Sequence, residues 1–365
     1  MNEFDALVEE VFYSFMDFRP DYATALGLHE YDTKMPSATK EAQETRIHFL
    51  TEYIEKFRDI PEENLSPERK IDKKLIVSIL KQYLFLEDDM RWWEKDPDFT
   101  DMVGIFPLFF REFAPFEERL ESITARLSQC PQLIREHKTR IQTTFALWVD
   151  MTKEACHNLF FLFETISTAS KQEGLDTSEF DDAVTRTIDA ISEYIQWLDT
   201  LYCEDNPFLG RDMYENLLRV RAIPLTADEI LKIGENYLER EQKKLEELAA
   251  SIDPFASVQK VRTTIRNEHP STFEDALKEY QKAVNHAREA VIRKGFATIP
   301  ENERLIVMET PRFLRHILPL AAYSPPARFE PDQKGIYLVT PAEGDLLKDI
   351  LDIIYKRFGP TRIRR

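Results

Sequence analysis

Residues 304–341 read RLIVMETPRFLRHILPLAAYSPPARFEPDQKGIYLVTP, and there the chain stops reading as helix. Two short runs rich in β-formers, 305–308 (LIVM) and 335–340 (GIYLVT), flank a loop carrying Pro311, Pro319, Pro325, Pro326 and Pro331. From Pro300 to Pro341, seven of the chain's 20 prolines fall within 42 residues. Proline lacks a backbone donor and fixes φ, so such a run predicts a shaped loop rather than a regular element. Run 305–308 is too short for an independent helix and reads as a buried strand. Run 335–340 alternates Ile336 and Leu338 with Tyr337 and Val339, which predicts an edge strand. An open strand edge beside a cleft can take up an extended peptide through main-chain hydrogen bonds. Tyr323, Tyr337 and Val339 are then the candidate substrate-binding residues. The alternative is that both strands only close the core.

Outward from this stretch the chain reads as helix. Only 9 of 365 residues are glycine, 31% are charged, and 43% are hydrophobic, which together predict a mainly α protein with a sizeable core. At this length two lobes fit better than one core. The best internal boundary is Glu204-Asp205-Asn206-Pro207 followed by Gly210. The chain then divides into an N-terminal helical region (1–205), a second helical region ending in the small sheet and proline-rich loop (206–341), and an atypical tail (342–365).

Start and stop signals place the helices. An apolar stripe of Phe4, Leu7, Val8, Val11, Phe12, Phe15 and Met16 opens the chain. A helix follows from Thr39 to Ile60. Ser66-Pro67 opens the next, whose inward stripe reads Ile71, Leu75, Ile79, Tyr83 and Leu86. Phe106, Phe109, Phe110, Phe113 and Phe116 form an aromatic cluster that reads as core. Pro131 divides the following helical run. Asp176 with Glu179 predicts an Asp-capped start, and Thr226 with Glu229 and Ser271 with Glu274 predict capping boxes. Gly234, inside a helix, costs roughly 1 kcal/mol against Ala and so predicts a close packing contact.

A net charge of −18 argues against nucleic acid and anionic membrane surfaces as partners, because both would be repelled. The first residues, MNEFDALVEEVF, have neither a basic start nor an apolar signal core, and no run approaches the ~18 apolar residues of a membrane span. Cys130, Cys156 and Cys203 are odd in number and form no C-x-x-C pair, the pattern of a reduced, cytoplasmic protein.

Candidate chemistry is sparse. The seven histidines are His29, His48, His137, His157, His269, His286 and His316, and no two lie within four residues of each other. An H-E-x-x-H zinc helix is therefore absent, and His29-Glu30-Tyr31-Asp32 fails at the second histidine. Cys156 and His157 are neighbours and point about 100° apart on a helix, so they cannot pair as nucleophile and base. There is no G-x-S-x-G elbow and no glycine-rich phosphate loop. No catalytic and no metal-binding residue is assigned, and no cofactor.

Three segments carry a family resemblance: DYATALGLHEYDTKMP (21–36), GRDMYENLLRVRAIPLTADEILKIGENYLER (210–240) and METPRFLRHILPLAAYSPPARFEPDQKGIYLVTP (308–341). The chain resembles the family known as domain of unknown function 885 across residues 1–341. That family in turn resembles helical zinc peptidases. The resemblance implies a multi-helical peptidase-like shell in which 335–340 is the edge strand flanking a peptide cleft. It also implies that longer relatives bind zinc through an H-E-x-x-x-G-H-H-like helix beyond that strand. After Pro341 this chain reads AEGDLLKDILDIIYKRFGPTRIRR, with an apolar run at 346–355, a basic end and no such motif. The expectation is a shortened product or a separate half, inactive alone. It would shape a peptide cleft without zinc, or act as a helical scaffold for a complementary C-terminal chain that completes the site.

Overall fold

The computed structural model describes residues 3–266, 270–315, 318 and 320–341; the tail expected at 342–365 lies outside the described residues. They form a mainly helical protein with a small sheet near the C-terminal end of the described chain. Two compact units share the chain, one made of residues up to Cys156 and Thr165–Glu268, the other of His157–Glu164 and the residues from 269 onward.

The first unit begins with α1 (Glu3–Phe18), α2 (Pro20–Leu26), α3 (Lys40–Asp59) and α4 (Pro67–Leu84). Local chemistry fixes their ends. The Thr39 side chain accepts from Ala42 N and caps α3; Ser66 accepts from Arg69 N and caps α4, with Pro67 at its first position. Gly27, at φ +89°, closes α2 in the left-handed conformation. Phe4, Val11, Phe49, Leu50, Tyr53, Ile54, Phe57 and Leu80 make the core between α1, α3 and α4. Phe4 and Phe57 meet edge to face at 5.9 Å, and each ring contributes about 1.5–3 kcal/mol by burial.

The inward face of α4 differs from the predicted one. Ile71, Leu75 and Ile79 are exposed, whereas Lys73 and Leu80 are buried and Ile76 and Val77 pack on the core. The helix is apolar on both sides, so periodicity alone cannot choose. Packing chose the side where the Lys73 ammonium can donate to Ile60 O at 2.6 Å, capping the open carbonyl end of α3.

Next come α5 (Thr100–Val103), α6 (Phe106–Phe110), α7 (Phe116–Arg140), β1 (Thr144–Phe145), α8 (Ala146–Gln172) and α9 (Ser178–Leu198). The five phenylalanines around α6 are half-buried rather than core; Ile105 and Leu108 between them are the buried ones. Pro131 does not divide α7. A proline cannot bond the carbonyl four residues back, here that of Leu127. The Thr187 hydroxyl of α9 donates to that carbonyl at 3.0 Å, in the buried seam where α7 packs along α9. Asp176 accepts from Ser178 N, but the residue before α9 is Thr177, which has no capping bond and instead donates to Asp181.

The unit ends with β2 (Cys203–Glu204), paired to β1, then α10 (Arg211–Val220), α11 (Ala227–Ile252) and α12 (Val258–Arg266). The Thr226–Glu229 capping box at the start of α11 is complete. A Cβ on Gly234 would meet no described atom within 4 Å, so the predicted packing contact is not there. Residues 231–240 are exposed throughout.

In the second unit α13 (Phe273–Lys294) is capped by Thr272, one residue after the predicted cap, and closed by Gly295 at φ +62°. It is followed by β3 (Arg304–Glu309), β4 (Ala321–Ser324) and β5 (Lys334–Val339).

Candidate functional site

The two predicted strands are present, together with a third hidden in the proline-rich stretch. The sheet order is β3-β5-β4, with β5 parallel to β3 and antiparallel to β4. This overturns the expected edge at 335–340: β5 is the central strand, and among the described residues β3 and β4 are the outer ones. The proline loop accounts for the difference. It lets the chain return through the four-residue β4 and cover the second side of β5. Thr310 N donates to Val339 O at 2.7 Å and Thr340 N to Leu320 O at 2.8 Å, and the two threonine hydroxyls meet at 2.8 Å.

Tyr323 and Tyr337 stand directly opposite each other in the β4–β5 register. Tyr323 is 56% exposed, and its ring lies over Gly335, where a Cβ would come within 2.9 Å of the ring carbon Cε2. Gly335 therefore gives the tyrosine its seat. Tyr337 is half-buried, its ring 5.9 Å from that of Tyr280 on α13. Val339 shares the face of Tyr337 by the two-residue alternation but is buried.

The outer edge of β3 lies beside a groove of about 780 Å³, lined by Val284, Asn285, Arg288 and Val291 of α13, by Ile299 and Pro300, and by Arg304, Leu305 and Ile306 of β3. Arg288 faces Glu303 at 3.7 Å, and Arg304 pairs with Asp332 at 2.6 Å. Main-chain direction follows from two bonds. Arg304 N donates to Gln333 O and Thr310 N to Val339 O, both toward β5. Backbone groups alternate along a strand, so Leu305, Val307 and Glu309 turn their N–H and C=O groups outward. No described strand pairs with them. Sequence reasoning missed this edge, although β3 carries charged residues at both ends, Arg304 and Glu309, a common mark of an outer strand.

The remaining sequence candidates are structural. His29 stacks on Phe113 at 3.8 Å and its Nδ1 lies 2.9 Å from Asp32, which also accepts from the Thr24 hydroxyl at 2.8 Å. Arg126, fully buried, reaches into the same knot from α7. Burial of its charge pulls its pKa down to about 10 against the pull of Asp32 and Asp21. Cys156 is buried and its thiol is pushed up to about 12 by desolvation, so it is protonated near neutrality. Among the described residues no three or more His, Cys, Asp or Glu side chains come together as metal donors, and no helix is long and apolar enough to cross a membrane.

The class of protein is defined by its mainly helical chain with a three-stranded mixed sheet, one of whose outer strands helps line a groove. The chain belongs to the family described as "Bacterial protein of unknown function (DUF885)", whose model matches residues 20–351 and takes in all three segments quoted above. Two solved structures share the fold. One is a presumed lipoprotein of unknown function from Shewanella oneidensis, with 19% identity and a TM-score of 0.71 over 94% of this chain and 66% of that one. The other is a presumed lipoprotein from Colwellia psychrerythraea, with 13% identity and a TM-score of 0.70 over 93% of this chain and 67% of that one. The chain thus spans about two thirds of the length of the structures it matches. No curated protein matches it.

Proposed function

We propose that this chain is the substrate-holding portion of a peptidase-like protein, and that an extended peptide adds as a fourth strand along the outer edge of β3. One observation carries the reading: Leu305, Val307 and Glu309 turn their backbone groups outward with no described strand paired to them, and the first of these, Leu305, lines a groove of about 780 Å³. Strand addition draws affinity from main-chain bonds and selectivity from side-chain pockets. The groove supplies apolar contacts through Val284, Val291 and Leu305. Tyr323 on β4 and Tyr337 on β5 lie three and two strand spacings from the added strand, so in this reading they and buried Val339 support the sheet instead of touching the peptide. The resemblance to zinc peptidases implies zinc in longer relatives. The described residues offer no donor set that fits it, so the activity proposed for them is binding alone.

The test is fluorescence anisotropy with labelled apolar heptapeptides. A binding peptide N-methylated at alternate amides should lose affinity in one methylation register and keep it in the other. Equal binding in both registers, or no binding by any peptide, overturns the reading.

A second reading is favoured by α11. Leu231, Leu238, Leu245 and Ile252 recur every seven residues and are 43–61% exposed, a stripe suited to packing a complementary polypeptide. Co-purification with the product encoded immediately downstream supports it, and failure of a Leu238→Glu, Leu245→Glu variant to abolish that complex counts against it. A cytoplasmic location remains part of the proposal. Recovery in the membrane fraction on cell fractionation, the behaviour of a lipoprotein, would overturn it.

A further inference from the structure

A second concavity, of about 550 Å³, lies in the first unit where the end of α3, one face of α4 and the end of α10 meet. Its wall is basic in a chain of net charge −18. Arg58, Lys73, Lys74, Lys81 and Arg219 line it against one carboxylate, Glu62. Two of these cations are committed elsewhere. Lys73 Nζ donates to Ile60 O at 2.6 Å and Arg58 O at 3.3 Å, meeting the negative end of the α3 dipole, and Arg58 pairs with Glu55. Lys74, Lys81 and Arg219 have no ion pair among the described residues, although acidic groups outnumber basic ones 66 to 48.

The placement of these three follows from helix geometry. Lys74, Val77, Ser78 and Lys81 fall on one face of α4, since seven residues make nearly two full turns, about 10.5 Å of rise. Ser78 Oγ already accepts from Gln82 Nε2, which leaves its proton for an acceptor in the cavity. On the opposite wall α10 stops abruptly. Ala222 takes φ +55°, one of two non-glycine residues with positive φ among the described ones, and Ile223 N turns back to Leu218 O at 2.9 Å. That tight end seats Arg219 and Ala222 on the rim. An L-residue in this conformation is strained, and such strain persists where the surroundings require it.

We propose that this concavity binds a small polyanion carrying phosphate or carboxylate groups, held by Lys74, Lys81 and Arg219, with Ser78 as a neutral donor. A concave site of this volume suits a small molecule. The acidic remainder of the chain repels extended polyanions such as duplex nucleic acid. The site lies in a different unit from β3 and does not depend on the peptide reading.

Isothermal titration with sodium tripolyphosphate and with citrate, each at about 0.1 M salt, where the Debye length is about 10 Å, tests the proposal and separates the two anion chemistries. The expected result is one saturable site for at least one of the two anions. Affinity should drop at least about tenfold in Lys81→Gln, Arg219→Gln, since charge-assisted bonds are the strong ones. It should stay unchanged in Lys244→Gln, Lys278→Gln, whose lysines pair with Glu241 and Asp275 elsewhere. Far-UV circular dichroism checks that each variant is folded. Tripolyphosphate alone binding assigns a phosphate ligand and citrate alone a polycarboxylate. Saturation by neither, or equal affinity in wild type and the Lys81, Arg219 variant, overturns the proposal.

Discussion

Arg126 and Arg140 are both buried arginines on α7, and the structure predicts opposite outcomes for the same substitution. The Arg126 guanidinium donates to five backbone carbonyls: Asp32 at 2.7 Å, Gly104 at 2.9 Å, Tyr31 at 3.0 Å, Pro20 at 3.1 Å and Val103 at 3.2 Å. It also donates to the Thr24 hydroxyl at 2.7 Å. Arg126→Met keeps the volume and strands these acceptors. Each buried acceptor left unsatisfied costs about 1–3 kcal/mol, and removal of a desolvated cation offsets part of the sum, so the expected net loss is about 4–6 kcal/mol. Arg140 is also buried, but its Nε and Nη1 have no partner among the described residues, and burial holds its pKa down to about 10. Arg140→Met removes a poorly compensated charge and is expected to change stability by no more than about 1 kcal/mol, in either direction. Tryptophan fluorescence in urea is the assay. Trp92, Trp93, Trp148 and Trp197 are the chain's four tryptophans, and all lie in the first unit. With a slope of about 3 kcal/mol per molar urea, Arg126→Met should lower the midpoint by roughly 1.3–2 M. A cost for Arg126→Met no greater than that for Arg140→Met would refute the reasoning that carbonyl saturation, not burial, sets the value of these arginines.

Four further outcomes are expected from the same measurement. Gly104→Ala should cost more than about 3 kcal/mol: the residue sits at φ +59°, and its Cβ would fall 2.1 Å from Arg126 Nη1 and 2.9 Å from Asp21 Cβ. Gly174→Ala, at φ +75° with nothing within 4 Å, should cost only the backbone strain of about 1–2 kcal/mol. Thr187→Val should cost about 1–3 kcal/mol by orphaning the Leu127 carbonyl that Pro131 cannot reach. His137 is fully buried, and desolvation, with Arg140 beside it, holds its pKa well below the ordinary 6.5. The unfolded chain takes up its proton below about pH 6.5 and the folded chain does not, so stability falls as pH drops through that value, by at most about 1.4 kcal/mol per pH unit. Asp98, raised to about 6 by burial, works the other way, and the stability from its protonated form fades as pH climbs from about 4 to 6. The urea midpoint should therefore fall less between pH 7 and pH 5.5 in His137→Leu than in wild type.

Helix starts were legible to within a residue at Thr39, Ser66, Thr226 and Thr272, where a side chain caps its own backbone, because that interaction is local. Thr39, Ser66 and Thr226 each cap the helix their position predicts. Both strands of the decisive stretch were legible from their β-branched and aromatic residues. Strand order was not, because it is set by long-range pairing: β4 is four residues long, lies between prolines, and makes β5 central instead of marginal. The inward face of α4 was hidden for a related reason. A lysine on the buried side reads as solvent-facing until α3 is seen to end beside it. Arg126 and Pro131 mislead in the same way, since residue type suggests a surface charge and a helix break. Each is compatible with the interior only because a distant group completes its hydrogen bonds.

This distinction separates the two parts of the chain that carried the family resemblance. In residues 21–36 the buried polar groups are bonded to one another, to Arg19 and to α7. Asp32 is taken by Thr24 and His29, and the backbone of Tyr31 and Asp32 by Arg126. A segment whose polar groups are already satisfied has little left to offer a ligand, so its specificity as a motif records the demands of a buried arginine. In residues 304–341 the accounts differ. β5 is paired on both sides, while among the described residues no strand pairs with the outward groups of Leu305, Val307 and Glu309, and Leu305 lines a groove. Backbone groups in water lose little by waiting, and they gain when an apolar peptide brings matching groups and excludes solvent. If the motif at 21–36 held the ligand instead, Thr24→Val would weaken peptide binding more than it weakens the fold. The geometry requires the reverse.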